Sequence, residues 1–144
     1  ISGHKQISHS FSSCSFHFSY STLIYFASEI ANAMHQLQSM GFVHRDLAAR
    51  NCIIYTNKLL VKITDCGAFI SDYKEDYYKE VLPIRWMAPE SILKGRFTSK
   101  SDVYSFGVTL WEILTYCKIK PHSHLSDDAL LKTLLHQTNG KLKV

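Results

Sequence analysis

A chain of 144 residues, 46% of them hydrophobic, is long enough for one domain with a buried core. Sixteen Lys and Arg against twelve Asp and Glu give a formal charge of +4. They are spread without a basic stripe interleaved with aromatics, so no nucleic acid is expected as a partner. Cys14, Cys52, Cys66 and Cys117 lie far apart and form no C-x-x-C pair, which argues against zinc and a disulfide framework and for a reducing, cytosolic setting. No apolar run reaches the roughly 18 residues of a membrane span and no leader pattern opens the chain, so membrane anchoring is expected only through parts outside it. The chain begins with Ile1 and closes on "GKLKV" behind a helical pattern, and is read as part of a longer polypeptide.

Residues 1–20 are crowded with Ser and His and have no period, which predicts a poorly ordered lead-in rather than a metal site. From Ser21, the spacing of Leu23, Phe26, Ala27, Ile30, Met34 and Leu37 predicts an amphipathic helix behind a Ser-Thr cap, ending near Met40 ahead of Gly41. "FVHRDLAARNCII" breaks that period. "CIIY" and "LLVKIT", on either side of Thr56-Asn57-Lys58, read as a short hairpin. Residues 67–82, rich in Tyr, Lys and Asp, read as a long surface loop. "SKSDVYSFGVTLWEILTYC" is apolar nearly all the way round, which predicts a helix buried on most sides with the domain built about it. A last helix is expected from Ser126, whose hydroxyl can cap it while Asp127 and Asp128 favour its positive end.

The chemistry sits in His44-Arg45-Asp46-Leu47-Ala48-Ala49-Arg50-Asn51, which satisfies the pattern H-R-D-L-x-x-x-N at every fixed position. Asp65-Cys66-Gly67, Ala88-Pro89-Glu90 and "SDVYSFG" follow in order. Alone, Asp46 would pass for a solvated or capping aspartate; inside this octet it does not. The set resembles the protein kinases, from about Ser21 to Leu131. The implied fold is mainly α with a small β-hairpin: a partial protein-kinase-like fold comprising the helical C-terminal lobe only. It would occupy residues 21–144, with a catalytic loop at 44–51 and an activation segment at 65–90. "AAR" and "LPIRWMAPE" resemble tyrosine kinases, and "EDYYKEVLPIRWM" with "KPHSHLSDDAL" resembles the discoidin domain receptor branch of receptor tyrosine kinases.

In phosphoryl transfer the protein positions the reactants and neutralises charge, metal ions bridge the phosphates, and a carboxylate accepts the hydroxyl proton. The resemblance implies ATP and Mg²⁺ as cofactors and protein tyrosine as acceptor. It makes Asp46 the catalytic base, gives Arg50 the placing of the phenol, and makes Asn51 and Asp65 the metal and cofactor ligands. His44 would pack beneath the triplet, and Arg45 would face a phosphorylated tyrosine. Asp102 would hydrogen-bond the catalytic-loop backbone. Glu90 would pair with a later arginine, yet none follows Arg96, and burial would make it costly. Tyr73, Tyr77 and Tyr78 are the implied phosphorylation sites, able to order the loop by added charge. The implied setting is a receptor dimer at the cytoplasmic side of the plasma membrane, or alternatively the cytoplasm.

Three departures keep other readings open. Cys66 stands where the family has Phe, only Lys79-Glu80 separates the tyrosine pair from "VLPIRW", and nothing upstream of His44 forms G-x-G-x-x-G or Val-Ala-x-Lys. The isolated chain, without the nucleotide-gripping lobe, is accordingly expected to bind ATP poorly and to be catalytically inactive. A catalytically silent module that binds a partner, or a truncated product with no stable fold, would share these features.

Overall fold

The computed structural model describes residues 4–6, 18–55, 58–66 and 82–139. A short strand β1 (His4–Gln6) comes first, then helix α1 (Tyr20–Ser39), a 3₁₀ turn (Ala49–Asn51), strands β2 (Cys52–Tyr55) and β3 (Leu60–Ile63), and helices α2 (Pro89–Lys94), α3 (Ser99–Leu114) and α4 (Asp127–Asn139). The architecture is mainly helical with one small antiparallel sheet.

Helix α1 buries Leu23, Phe26, Ala27 and Ile30, the stripe that its three- and four-residue spacing predicts. Its cap is Ser19, not the Ser21-Thr22 pair. Ser19 is extended and its hydroxyl accepts the Thr22 N–H at 3.3 Å. The helix stops where Gly41 takes φ +81°, with the Phe42 N–H donating to the Leu37 carbonyl at 3.0 Å.

The expected hairpin is present, in register from Cys52 opposite Ile63 to Tyr55 opposite Leu60. A third strand joins it within the segment read as a loop, with His4 opposite Tyr55 and Gln6 opposite Ile53. Three residues are too few to show a period of two, and backbone hydrogen bonding to the open edge of β2 asks for no particular side chain.

Helix α3 departs most from expectation. Its buried residues are Ser101, Asp102, Ser105, Thr109, Glu112 and Ile113, while Val103 is 66% exposed and Trp111 39%. Ser105, Asp102 and Glu112 point inward to partners outside the helix, and Thr109 can be buried because its hydroxyl is satisfied within the helix. Ser105 Oγ donates to the Trp86 carbonyl at 2.8 Å and Thr109 Oγ1 to the Ser105 carbonyl at 2.8 Å, while Asp102 accepts from the His44 amide and Glu112 from the Ala49 amide. Hydrogen-bonded burial removes the penalty that would otherwise expel such groups. Val103, Tyr104, Val108 and Trp111 instead line an open cavity of about 550 Å³ with Pro121 and His122.

The core joins Leu23, Phe26 and Ile30 of α1 to Leu47 and Ala49 of the loop, Cys52, Ile54 and Val61 of the hairpin, and Ile113 of α3. Residues 44–51 are therefore anchored by Leu47 and Ala49, both fully buried.

At the other end, the Ser126 hydroxyl accepts the Ala129 N–H at 3.2 Å, capping α4 as expected. The buried Arg85 guanidinium donates to the carbonyls of Pro121, His122 and Leu125 and forms an ion pair with Asp127. It thus ties the stretch before α2 to the loop that leads into α4. Arg85→Ala is expected to lower stability by about 2 kcal/mol, since it strips partners from several acceptors at once. A urea titration would show this as a lower midpoint, and an unchanged midpoint would mean that water replaces the guanidinium without loss.

Candidate active site

The site is built on a polar loop whose backbone is fixed from below. Asp102, buried at the start of α3, accepts the His44 N–H at 2.7 Å through Oδ2 and the Arg45 N–H at 3.0 Å through Oδ1. That holds Arg45 at φ +71°, a left-handed conformation uncommon for a side chain of its size. The support expected of Asp102 is present in the geometry.

His44 is fully buried, and its Nε2 lies 3.1 Å from the Thr64 carbonyl, immediately before the Asp65-Cys66 pair. Since a carbonyl only accepts, Nε2 carries the proton, and Nδ1 is left to accept the Asp46 N–H at 3.3 Å. Both nitrogens are thus used by the neutral ring. Burial pushes the His44 pKa below its ordinary 6.5, against the opposing pull of Asp102, the Thr64 carbonyl, Asp46 and Asp65. The unfolded chain takes up a proton near pH 6.5 that the folded chain refuses, so this stability is full above that pH and is lost as pH falls through and below it. His44→Gln is expected to flatten the fall of unfolding free energy between pH 7 and 5, where one full proton is worth about 1.4 kcal/mol per pH unit. Urea titrations of both proteins at three pH values would check it; parallel slopes would mean the ring is protonated in both states.

Asp46, Arg50 and Asn51 are brought together. The Asp46 carboxylate forms an ion pair with Arg50 and accepts the Asn51 Nδ2–H at 2.9 Å, while the Asp46 carbonyl accepts from the same nitrogen at 2.7 Å. Asn51 Oδ1 is the acceptor that remains for another ligand. Asp65 lies beside this group rather than in it. It is exposed, at φ +56°, and its Oδ2 accepts the Thr64 hydroxyl at 3.0 Å. Thr64 in turn donates its N–H to the Asn51 carbonyl at 2.8 Å, so Asn51 and Asp65 flank one residue. Among the described residues no three His, Cys, Asp or Glu are grouped to hold a metal ion. One carboxylate and one amide oxygen are hard donors of the kind that suit Mg²⁺, which keeps waters and phosphate oxygens as its other ligands.

Two residues to which the motifs give no task, Trp86 and Glu112, complete the support. The Arg50 guanidinium lies 4.7 Å from the centre of the Trp86 ring. The Trp86 indole donates to Glu112 Oε2 at 2.8 Å, and the same oxygen accepts the Ala49 N–H at 2.9 Å. Burial raises the Glu112 carboxyl above its ordinary value, with the bonds from Ala49 and Trp86 and the nearby Arg50 pulling the other way. The one sequence signal was an acid inside the apolar run "LWEIL".

Arg45 sits with its guanidinium 5.6 Å from the Phe97 ring centre. The tyrosine it was expected to meet, whether Tyr73, Tyr77 or Tyr78, lies outside the described residues, as does Gly67. Cys66 is half-buried with a free thiol. Cys52 and Cys117 are also free, and burial pushes each up to about 12. Glu90 corrects one expectation: it is half-buried rather than buried, so its lack of an ion pair among the described residues carries no large cost. Also among the described residues, no helix is long and apolar enough to cross a membrane.

The family model for protein tyrosine and serine/threonine kinases matches residues 4–143. The human epithelial discoidin domain-containing receptor 1 is 48% identical over 118 residues, covering 79% of this chain and 13% of the receptor. The mouse NT-3 growth factor receptor is 50% identical over 126 residues, 85% of this chain and 15% of the receptor. The chain therefore spans under one-sixth of these relatives and resembles two kinds of receptor about equally. With its catalytic-loop pattern held on α3 and the family match running over nearly its whole length, the chain belongs to the protein tyrosine and serine/threonine kinase family.

Proposed function

We propose that this chain carries the catalytic loop of a receptor-type tyrosine kinase that transfers the γ-phosphoryl group of ATP to the hydroxyl of a protein tyrosine. The observation that carries the reading is the set of partners on Asp46. A carboxylate held by Arg50 and Asn51 is pre-oriented to accept a phenolic proton as the oxygen attacks phosphorus. Arg50 comes from within the same loop and has its guanidinium carbon over the Trp86 ring, which would leave it beside the acceptor position. Asn51 Oδ1 and the Asp65 carboxylate would hold Mg²⁺, which when bound neutralises charge on the transferring phosphates. Similarity to two receptors supports a place on the cytoplasmic side of the plasma membrane, with activation in a receptor dimer and phosphorylation at Tyr73, Tyr77 and Tyr78.

A catalytically silent binding module is the second reading, favoured by Cys66 in the position of the family phenylalanine and by the short Lys79-Glu80 spacing between the tyrosine pair and "VLPIRW". The native polypeptide, captured from its source cells with an antibody to residues 60–90, separates the two. Incubated with γ-labelled ATP, Mg²⁺ and a Glu/Tyr copolymer, it is expected to yield labelled phosphotyrosine. Label on serine or threonine alone, or none above a mock capture, would sink the tyrosine kinase reading.

A further inference from the structure

Glu112 is the one buried acid of the described helices that the catalytic-loop motifs leave without a task. It is 7% exposed, and a single carboxylate oxygen receives both the Ala49 N–H and the Trp86 indole N–H, from residues 63 and 26 positions away in the sequence. Those two donors define the surroundings of Arg50. Ala49 is its neighbour in the chain and starts the 3₁₀ turn, and Trp86 is the surface on which its guanidinium lies. Arg50 then forms the ion pair with Asp46. An unbroken series of contacts thus runs from α3 through Trp86 and Arg50 to the carboxylate at the centre of the site.

We infer that Glu112 is a positioning residue for phosphoryl transfer, setting the plane of Trp86 so that Arg50 is held against Asp46. The inference rests on the kinase reading above for its consequence, but not for its geometry. A charged acceptor suits the task for two reasons. Hydrogen bonds to an ionised oxygen are stronger than neutral ones, so the indole has a steep orientational preference. The indole plane in turn fixes where a stacked guanidinium can sit, since the attraction is to the ring face. With a neutral acceptor the ring would still fill its space while its tilt became less defined. Ion pairing between the half-exposed Arg50 and Asp46 would then have to hold that geometry by itself.

Two measurements test this. In the 144-residue chain with Trp111→Phe, so that Trp86 is the remaining indole, Glu112→Gln is expected to move the Trp86 indole N–H signal upfield. It is also expected to remove the ring-current shift of the Arg50 side chain, with cooperative unfolding preserved. An Arg50 signal that stays in place while the indole signal moves would overturn the inference. In the native polypeptide, Glu112→Gln is expected to lower kcat toward a tyrosine copolymer about 10-fold with KM for ATP unchanged. Added to Arg50→Ala, it should cause no further loss, because both act through the same side chain. A merely structural role would give additive losses in that cycle, which would also overturn it. Trp86→Phe keeps a ring under Arg50 and removes only the indole donor, so it should reproduce the kcat loss of Glu112→Gln if that variant folds poorly. Absence of phosphotransfer by the unaltered polypeptide would sink the kinase reading instead, and the Arg50 signal would still decide what Glu112 holds.

Discussion

Asp46→Asn is expected to lower tyrosine phosphorylation by the native polypeptide by about 10²- to 10⁴-fold, the usual contribution of a positioned base, with little change in stability. The two effects separate because they draw on different properties of the carboxylate. In the proposed role of base Asp46 would take a proton, which an amide does not do at neutral pH. As a structural group it has an ion pair whose side chains are 22% and 36% exposed, a setting in which such pairs contribute up to about 1 kcal/mol. The amide oxygen can still accept from Asn51. Initial rates with the copolymer, set beside urea midpoints of the two chains, would show a large fall in one and a small one in the other. Unchanged phosphorylation would assign the label to another kinase in the capture.

Asp102→Ala is expected to do the reverse, costing about 3 to 5 kcal/mol of stability. The buried His44 amide and the part-buried Arg45 amide lose their acceptor together, at about 1 to 3 kcal/mol for each group left unsatisfied. Against a total of about 5 to 15 kcal/mol for an ordinary domain, that is enough to leave much of the chain unfolded under mild conditions. Asp102→Asn should recover part of the loss, because its one oxygen serves one amide while its NH₂ faces the other donor. A fall below about 1 kcal/mol for the alanine variant, at unchanged urea slope, would mean that water reaches the His44 and Arg45 amides.

What the sequence could convey differed from element to element for physical reasons. Helix α1 and the hairpin were legible because their apolar residues recur with the period of the structure and face the core. Asp46, Arg50 and Asn51 were legible because they lie within six residues, in a pattern the chemistry constrains tightly. Helix α3 was read as buried on most sides, yet Val103 and Trp111 face outward. Hydropathy ranks Val103 and Trp111 above Ser105 and Glu112 for burial, and it cannot know that a carbonyl, an amide and an indole wait on the polar side. The four-residue recurrence of Ser101, Ser105 and Thr109 was itself a period, seen only when hydroxyls are counted as inward-facing. Glu112 and Trp86 stayed hidden for a related reason: their significance arises from a contact between distant parts of the chain.

The inward face of α3 also determines how that helix can move. An interface of methyl and methylene groups tolerates sliding, since one such contact replaces another at small cost. The bonds of Asp102, Ser105 and Glu112 are directional, and they engage residues 44–49 at both ends of the helix and the Trp86 carbonyl between them. A shift of α3 along its axis by one turn, about 5.4 Å, would offer the Trp86 carbonyl another hydroxyl, from Ser101 or Thr109, but would bring no carboxylate to replace Asp102 or Glu112. The helix therefore behaves as a keyed shaft: it is locked in both depth and rotation, and it can release the loop only by letting go of every tooth at once.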